Sequence, residues 1–444
     1  MKKCFQCATC TVSCELSPKE YAFPRKEMIQ AAFGMKEQLL SDPDVWLCHG
    51  CMDCSQQCPR NARPADLMGA IRSYVYRAFA VPFFMGKVLA DPKKLPALFA
   101  VAMCVIFCLV LATNLIFHNG DMRFFDVRDG VLTETAAAKE GIELSKARFA
   151  SVPIEGFITY EQFKHIGNKL NYEQYKAIGG YLDEKEFIEN YGVLKYEDFI
   201  QKLVIEGLFI PGNVLIFFLA FLGLRNYWRE MEKNSNYEVK RSFLSATWGV
   251  LTDFLLHKKF EKCPTNSNRH YGHLYTFYGF ILTMIATGLV VIGELHHYNI
   301  WHILPLPYPM DFLHPVKILG MIGGVLLFIG LMLLMIKRAK TEKEKGKSTY
   351  NDWLFIWVIF GVAITGMGIV FLRLSGVVWI SYLTYFIHLT LVFFLLWFMP
   401  YSKFAHMIYR FTGLIFLKMR NRENRPEIYS KNIIKLKEVA VLSN

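Results

Sequence analysis

Between residues 95 and 399 the chain alternates long apolar runs with short polar segments, and the runs set its architecture. Six are long enough to cross a bilayer as helices, which takes about 20 apolar residues. They cover 95–117, 207–224, 271–293, 313–336, 353–372 and 377–399. The second is the weakest, being short and carrying Pro211. The first 80 residues differ, being polar and rich in cysteine. Within them, 24–40 predicts a helix with Pro24 at its start and Met28, Ile29, Ala32 and Phe33 on one face. Another helix follows Pro64, with Leu67, Ile71, Tyr74 and Val75 at helical spacing. No segment alternates as a strand does, so the expected fold is all-α. Its expected parts are a helical domain (1–80), a linker with the first transmembrane helix (81–117) and a helical insertion (118–206). A five-span module (207–410) and a basic tail (411–444) complete it.

Composition agrees. Of 444 residues, 53% are hydrophobic and 37 are Phe, which excludes an ordinary soluble protein. The formal charge of +12 does not indicate nucleic acid, because the basic residues gather in loops between apolar runs. Arg225, Arg229, Lys258, Lys259 and Arg269 follow the second run, and Lys337, Arg338, Lys340 and Lys343 the fourth. The loop 294–312 has no Lys or Arg. By the positive-inside rule both termini and the cysteine domain face the cytoplasm of a multi-pass inner-membrane protein. The insertion 118–206 then lies outside. It is acidic at Asp183, Glu184, Glu186 and Glu189, with helical fragments expected at 160–170 and 183–190 and no calcium-loop ligand order.

The candidate chemistry starts with a repeated spacing. Cys4-x2-Cys7-x2-Cys10-x3-Cys14 is followed by Cys48-x2-Cys51-x2-Cys54-x3-Cys58-Pro59. This is the ligand spacing of bacterial two-cluster ferredoxins, whose fourth cysteine serves the other cluster. On that pattern Cys4, Cys7, Cys10 and Cys58 hold one [4Fe–4S] cube, and Cys48, Cys51, Cys54 and Cys14 hold the second. Zinc sites use separated cysteine pairs instead. Nothing before Cys4 resembles a secretory signal, which argues against disulfides. Cys104 and Cys108, one turn apart in an apolar run, are expected as packing residues, and Cys263 has no evident partner. No C-x-x-C-H occurs, so no covalent c-type haem is expected.

Histidines in the apolar runs are the second candidate. His388 and His406 are 18 apart, which on one helix is five turns and roughly 27 Å. Such a pair can give one ligand to each of two b-type haems near opposite membrane faces. For the inner haem the opposing candidate is His273, with His270 one turn earlier. For the outer haem it is His314, with His296, His297 and His302 as alternatives, and Lys317 placed to pair with a propionate. His49, His118, His165 and His257 are expected on the solvent side. Glu294, His296 and His297 gather at the outer end of the third span and are candidates for quinone and proton chemistry.

Taken together, the chain resembles the C-type membrane subunits of quinone-interacting membrane-bound oxidoreductase (Qmo) complexes. The stretches that carry this are Cys4-Phe-Gln-Cys-Ala-Thr-Cys, Cys14-Glu-Leu-Ser-Pro18, Pro24-Arg-Lys-Glu-Met28, Asp42-Pro-Asp-Val-Trp-Leu-Cys-His49 and Cys58-Pro-Arg-Asn-Ala-Arg-Pro64. The N-terminal part also resembles the C-type subunit of heterodisulfide reductase. The membrane part is similar to the nitrate reductase gamma (cytochrome b) subunit, whose last span carries two ligands 18 apart. Two departures stand out. Glu15, not proline, follows Cys14, and Phe280 and Thr283 stand where the nitrate reductase cytochrome's third-span pairing would need a second histidine. The resemblance implies a relay between menaquinone and cytoplasmic flavin/iron–sulfur partners, through two haem b and two cubanes. Those partners are the A- and B-type Qmo proteins, which are like heterodisulfide reductase A. Adenylylsulfate reductase is the implied further partner. The competing expectations are the membrane subunit of a thiol/disulfide complex of heterodisulfide reductase type, and a redox sensor.

Overall fold

The computed structural model describes residues 3–17, 22–117, 196, 199–235, 238–256, 267–297, 313–345, 350–375 and 378–422. Among these there is no strand. The first helices are α1 (Thr9–Val12), α2 (Arg25–Ala32), α3 (Lys36–Ser41), α4 (Asp53–Gln56), α5 (Pro64–Ala78) and α6 (Phe83–Ala90). The long helices follow: α7 (Leu95–Phe117), α8 (Lys202–Lys233), α9 (Phe243–Leu256), α10 (Ser267–His297), α11 (Pro315–Lys345), α12 (Tyr350–Ser375), α13 (Val378–Trp397) and α14 (Ala405–Met419).

Six of them, α7, α8, α10, α11, α12 and α13, are long and apolar enough to cross a membrane. They are the six expected runs, and they make this a multi-pass membrane protein of all-α class. α8 extends well past the expected 207–224 at both ends, because Pro211 is absorbed within the helix rather than ending it. α10 and α11 pack backbone to backbone. A Cβ at Gly279 would stand 2.8 Å from the Gly323 carbonyl oxygen, and one at Gly323 would stand 3.0 Å from that of Gly279. Small residues at such crossings let apolar helices approach closely where lipid offers no hydrophobic drive.

Four details depart from the sequence expectations. The helix expected over 24–40 is two helices, broken at Gly34, whose φ of +70° suits glycine. Phe33 is consequently exposed rather than packed beside buried Met28. α9 lies in a segment whose basic residues read as loop; it is too short to span and buries only Ala246 and Val250. Cys104 and Cys108 are exposed on α7, not packed. The last departure matters most. His388 and His406 are not on one helix. α13 stops at Trp397, a 3₁₀ turn (Met399–Tyr401) containing Pro400 intervenes, and α14 starts at Ala405. Proline has no N–H to continue the ladder, so the five-turn geometry does not exist.

The cysteine domain is not a separate body beside the bundle. One hydrophobic core contains Trp46, Leu47, Cys48, Met68 and Val75 from the N-terminal side, Tyr227 from α8, Val250 from α9, and Tyr409 and Phe416 from α14. The insertion 118–206, apart from 196 and 199–206, and the tail beyond 422 lie outside the described residues.

Candidate redox centres

Both cysteine runs fold into the same loop. Residues two and four after the first cysteine have left-handed backbone: Gln6 (φ 60°) and Ala8 (φ 66°) in one, Gly50 (φ 65°) and Met52 (φ 74°) in the other. Each loop then enters a single helical turn, α1 or α4. A non-glycine residue in this region costs about 1 kcal/mol or more, so three of four such positions imply something that offsets the cost. Alternating backbone of this kind turns successive N–H groups inward as an anion nest, a form that iron–sulfur sites use. Gly50 N–H donates to Cys48 Sγ at 3.3 Å, and Ala62 N–H to Cys58 Sγ at 3.3 Å.

Cys4, Cys7, Cys10 and Cys58 line one cavity of about 360 Å³ at the surface, with Arg25 and Arg60 at its edge. Cys14 sits instead among Cys48, Cys51 and Cys54. Loss of hydration pushes its thiol up to about 12, and negative charge on Cys48 and Cys51 adds to this. Cys54 is raised first by loss of hydration and then by Cys48, Cys14 and Cys51. The structure therefore brings the fourth cysteine of each run to the other run. Thiols so crowded ionise only when a bound cation takes the charge, and binding then releases their protons.

The second cysteine group is anchored to the bundle by Trp46, two residues before Cys48. Its indole N–H donates to Tyr227 Oη at 2.8 Å, and its ring stacks on Tyr409 at 6.4 Å. Gly413 makes the slot, since a Cβ there would lie 2.5 Å from the indole. A buried ion cluster closes the junction. Lys26 pairs with Asp42 (2.6 Å) and Asp44 (2.5 Å), and Arg422, just past α14, donates to Asp44 at 2.8 Å. Glu27, Asp42 and Asp44 are close enough to one another for a metal, but Lys26 pairs with all three.

His406 opens α14 beside this junction. Its Nδ1 contacts the Lys403 carbonyl, which only accepts, so Nδ1 carries the proton and Nε2 keeps its lone pair. Its ring stands edge-on to Phe355. Loss of hydration pulls its pKa down to about 3; nearby Lys403 also lowers it, and Arg72 and Arg410 contribute. His388 is on α13, facing α12. Thr365 Oγ1 donates to the Gly361 carbonyl at 2.6 Å and lies 2.9 Å from His388 Nδ1. The Thr365 hydroxyl both donates and accepts, so this contact fits either tautomer of His388. A histidine that donates from Nδ1, as His406 does, is held as metal-bound histidines are. Gly366 gives the ring room, a Cβ there lying 3.0 Å from its Cε1.

His273 is half-buried on α10, on the face that also carries Phe277 and Phe280. Phe277 meets Phe254 of α9 at 5.9 Å, and Phe280 meets Phe404, just before α14, at 5.1 Å. That face is therefore turned to the His406 end. His314 does something else: its Nδ1 accepts the Val316 N–H at 3.3 Å, capping α11. This puts the proton of the neutral ring on Nε2. Lys317 lies in the first turn of α11. Glu294, His296 and His297 end α10, and their side chains, like His302 and His270, lie outside the described residues. A mostly apolar cleft lies at the His406 end, lined by Leu354, Phe355, Phe394, Ser402 and Lys403.

Sequence reasoning missed His49, Arg72 and Arg410. His49 is half-buried, not on the solvent side as expected, and Arg410 donates to its ring at 3.1 Å. Arg72 donates to the Cys48 carbonyl at 2.7 Å. The available signal for Arg410 was its place one turn after His406.

Comparison with known proteins divides the chain in two. The family described as citrate utilization protein B matches residues 205–427, half of the chain. The 4Fe-4S dicluster domain matches residues 1–62. The N-terminal domain resembles the C-type subunit of the H(2):CoB-CoM heterodisulfide,ferredoxin reductase of Methanothermobacter marburgensis, 33% identical over 78 residues, 18% of this chain and 42% of that one. Citrate utilization protein B of Escherichia coli is 34% identical over 156 residues, 34% of this chain and 38% of that one. The chain thus spans less than half the length of either relative. The E-type subunit of the dihydromethanophenazine:CoB--CoM heterodisulfide reductase of Methanosarcina thermophila is 26% identical over 198 residues, 43% of this chain and 72% of that one. No solved structure gives a significant match.

Proposed function

The chain belongs to the citrate utilization protein B family, with a 4Fe-4S dicluster domain at its N-terminus, and on that premise we propose that it is the electron-transfer subunit of a membrane oxidoreductase complex. Electrons pass between a membrane quinone, menaquinone in this reading, and cytoplasmic flavin/iron–sulfur partner subunits resembling heterodisulfide reductase A. The observation that carries this is the shared core. The cysteine group of Cys48 and the helix of His406 are packed as one unit, joined by Trp46 and by the Arg410–His49 contact.

In this reading Cys4, Cys7, Cys10 and Cys58 hold one cubane, and Cys14, Cys48, Cys51 and Cys54 hold the other. His406 with His273, and His388 with an outer partner, hold two b haems. The Nδ1 contact of His406 with a backbone carbonyl supports this, since it leaves Nε2 with the lone pair a metal would take. A b haem, when bound, accepts and gives one electron at a time. His314 takes the outer position only if it releases its cap on Val316; otherwise His296, His297 or His302 does. Glu294, His296 and His297 are the proposed proton route from an outer quinol, and Glu294→Gln then slows quinol-dependent reduction with normal spectra. Unchanged kinetics move the quinone to the cleft beside Phe355 and Lys403. The positive-inside asymmetry supports a cytoplasmic cysteine domain.

The test is a redox titration of the purified complex. His388→Ala and His406→Ala are each expected to delete a different b-type component while both cubanes persist. Loss of the same component in both, or no b-type spectrum in the unsubstituted protein, overturns the di-haem relay. The similarity to a membrane heterodisulfide reductase component favours a second reading, in which the partner complex acts on a thiol/disulfide couple. Identification of the co-purifying subunits separates the two. A link to adenylylsulfate reductase in sulfur metabolism belongs to the first reading and is tested by the same co-purification.

A further inference from the structure

Two half-buried arginines stand between the candidate centres, and among the described residues no carboxylate meets them. Arg72 projects from α5. Its Nε donates to the Met68 carbonyl at 3.2 Å, and one terminal nitrogen donates to the Cys48 carbonyl at 2.7 Å. Arg410 projects from α14, one turn after His406, and its Nη2 lies 3.1 and 3.2 Å from the two ring nitrogens of His49, of which the unprotonated one accepts. Among the described residues neither forms an ion pair, whereas neighbouring Lys403 is paired with Asp352. The two guanidinium groups also repel each other. Loss of hydration and the charge of Arg72 both pull Arg410 down, to about 10.

Uncompensated charges of one sign are costly to bury, and each guanidinium offers five N–H donors, only some of which are used here. An anion placed against both would offset their charge. The charge of Cys48 acts on Arg410, but neither guanidinium donates to a cysteine sulfur among the described residues; Arg72 reaches the Cys48 carbonyl and Arg410 the His49 ring. Arg410 shares a helix face with His406, and His406 feels both charges.

We propose that Arg72 and Arg410 form an anion site that binds a carboxylate of the group ligated at His406, turning its acid edge toward the cubane on Cys48. This rests on the reading of His406 as a haem ligand. A guanidinium pair matches a carboxylate in geometry and charge, and it neutralises the acid group without a protein carboxylate. Cations here favour the reduced state of the adjacent centre, so their removal lowers its potential.

The experiment is a redox titration of the full-length complex carrying Arg410→Gln, Arg72→Gln or Arg410→Lys, followed by optical spectra and by paramagnetic resonance of the cubanes. The component that His406→Ala deletes is expected to become about tenfold harder to reduce in each Gln variant, about 59 mV lower for a one-electron couple. The component that His388→Ala deletes stays in place, and Arg410→Lys recovers most of the potential. Full-amplitude spectra of both components and of the cubanes certify folding of each variant. An unmoved potential with a normal b-type spectrum overturns the anion site alone. A shift confined to the cubane, or shared equally by both haem components, also overturns it. Absence of any b-type spectrum in the unsubstituted protein overturns the ligand reading and the anion site together.

Discussion

The two ends of the helix bundle hold their histidines alike and surround them differently. Each is held at Nδ1, His388 by the Thr365 hydroxyl and His406 by a backbone carbonyl. Among the described residues the His388 end packs on an apolar core with Tyr382, Leu389 and Phe393. The His406 end is charged, with Arg72, Arg410 and Lys403 close by, and it is the end on which the cysteine domain is seated. Equal ligands in unequal fields give centres of unequal potential, since a cation nearby favours the reduced state.

The largest effect on this asymmetry is expected from Trp46→Ala. Trp46 is fully buried at the junction, and truncating a core tryptophan costs about 3–5 kcal/mol. Thermal unfolding is expected to shift down, and limited proteolysis to release the N-terminal domain while the bundle stays whole. Release of the bundle instead, or no change in either measurement, removes the shared core as the link between centres. The same substitution at the lipid-facing Trp357, which is 56% exposed, is the matched control and is expected to stay within about 0.5 kcal/mol.

A smaller effect is expected at the other end. Thr365→Val keeps the shape of the side chain and removes the oxygen that holds His388 Nδ1 at 2.9 Å. Partners of this kind are worth about 10- to 100-fold in ligand affinity. The b-type component assigned to His388 is expected to be lost on dilution or at mild heating, with the His406 component intact. If both components weaken together, the two ends are not independent. The smallest effect is expected for Cys104→Ser and Cys108→Ser. Both side chains are exposed on α7, so cluster content and stability should match the unsubstituted protein, to within about 0.5 kcal/mol by unfolding. A loss of iron there would mean that the cysteine ligand set extends into the membrane helices.

Much of the molecule was legible as sequence. A run of apolar residues commits itself to helix and bilayer by its own length, because unpaired backbone groups are intolerable in hydrocarbon. All six spans follow from that. The cysteine spacing is equally local for the first three sulfurs of each run, while the fourth of each run goes to the other, and the left-handed positions at Gln6, Ala8, Gly50 and Met52 emerged only with the structure. The histidines were not legible in the same way. An 18-residue interval fixes a direction only while one helix continues, and Pro400 ended it. His49 looked solvent-facing because nothing in its neighbourhood along the chain reveals an arginine 361 positions later. How the cysteine domain meets the bundle was decided in three dimensions. The Trp46 slot at Gly413, the Arg422–Asp44 pair and the Arg410–His49 contact all join residues far apart in sequence. Their strength comes from burial and charge at close range, and that exists only once the chain has folded.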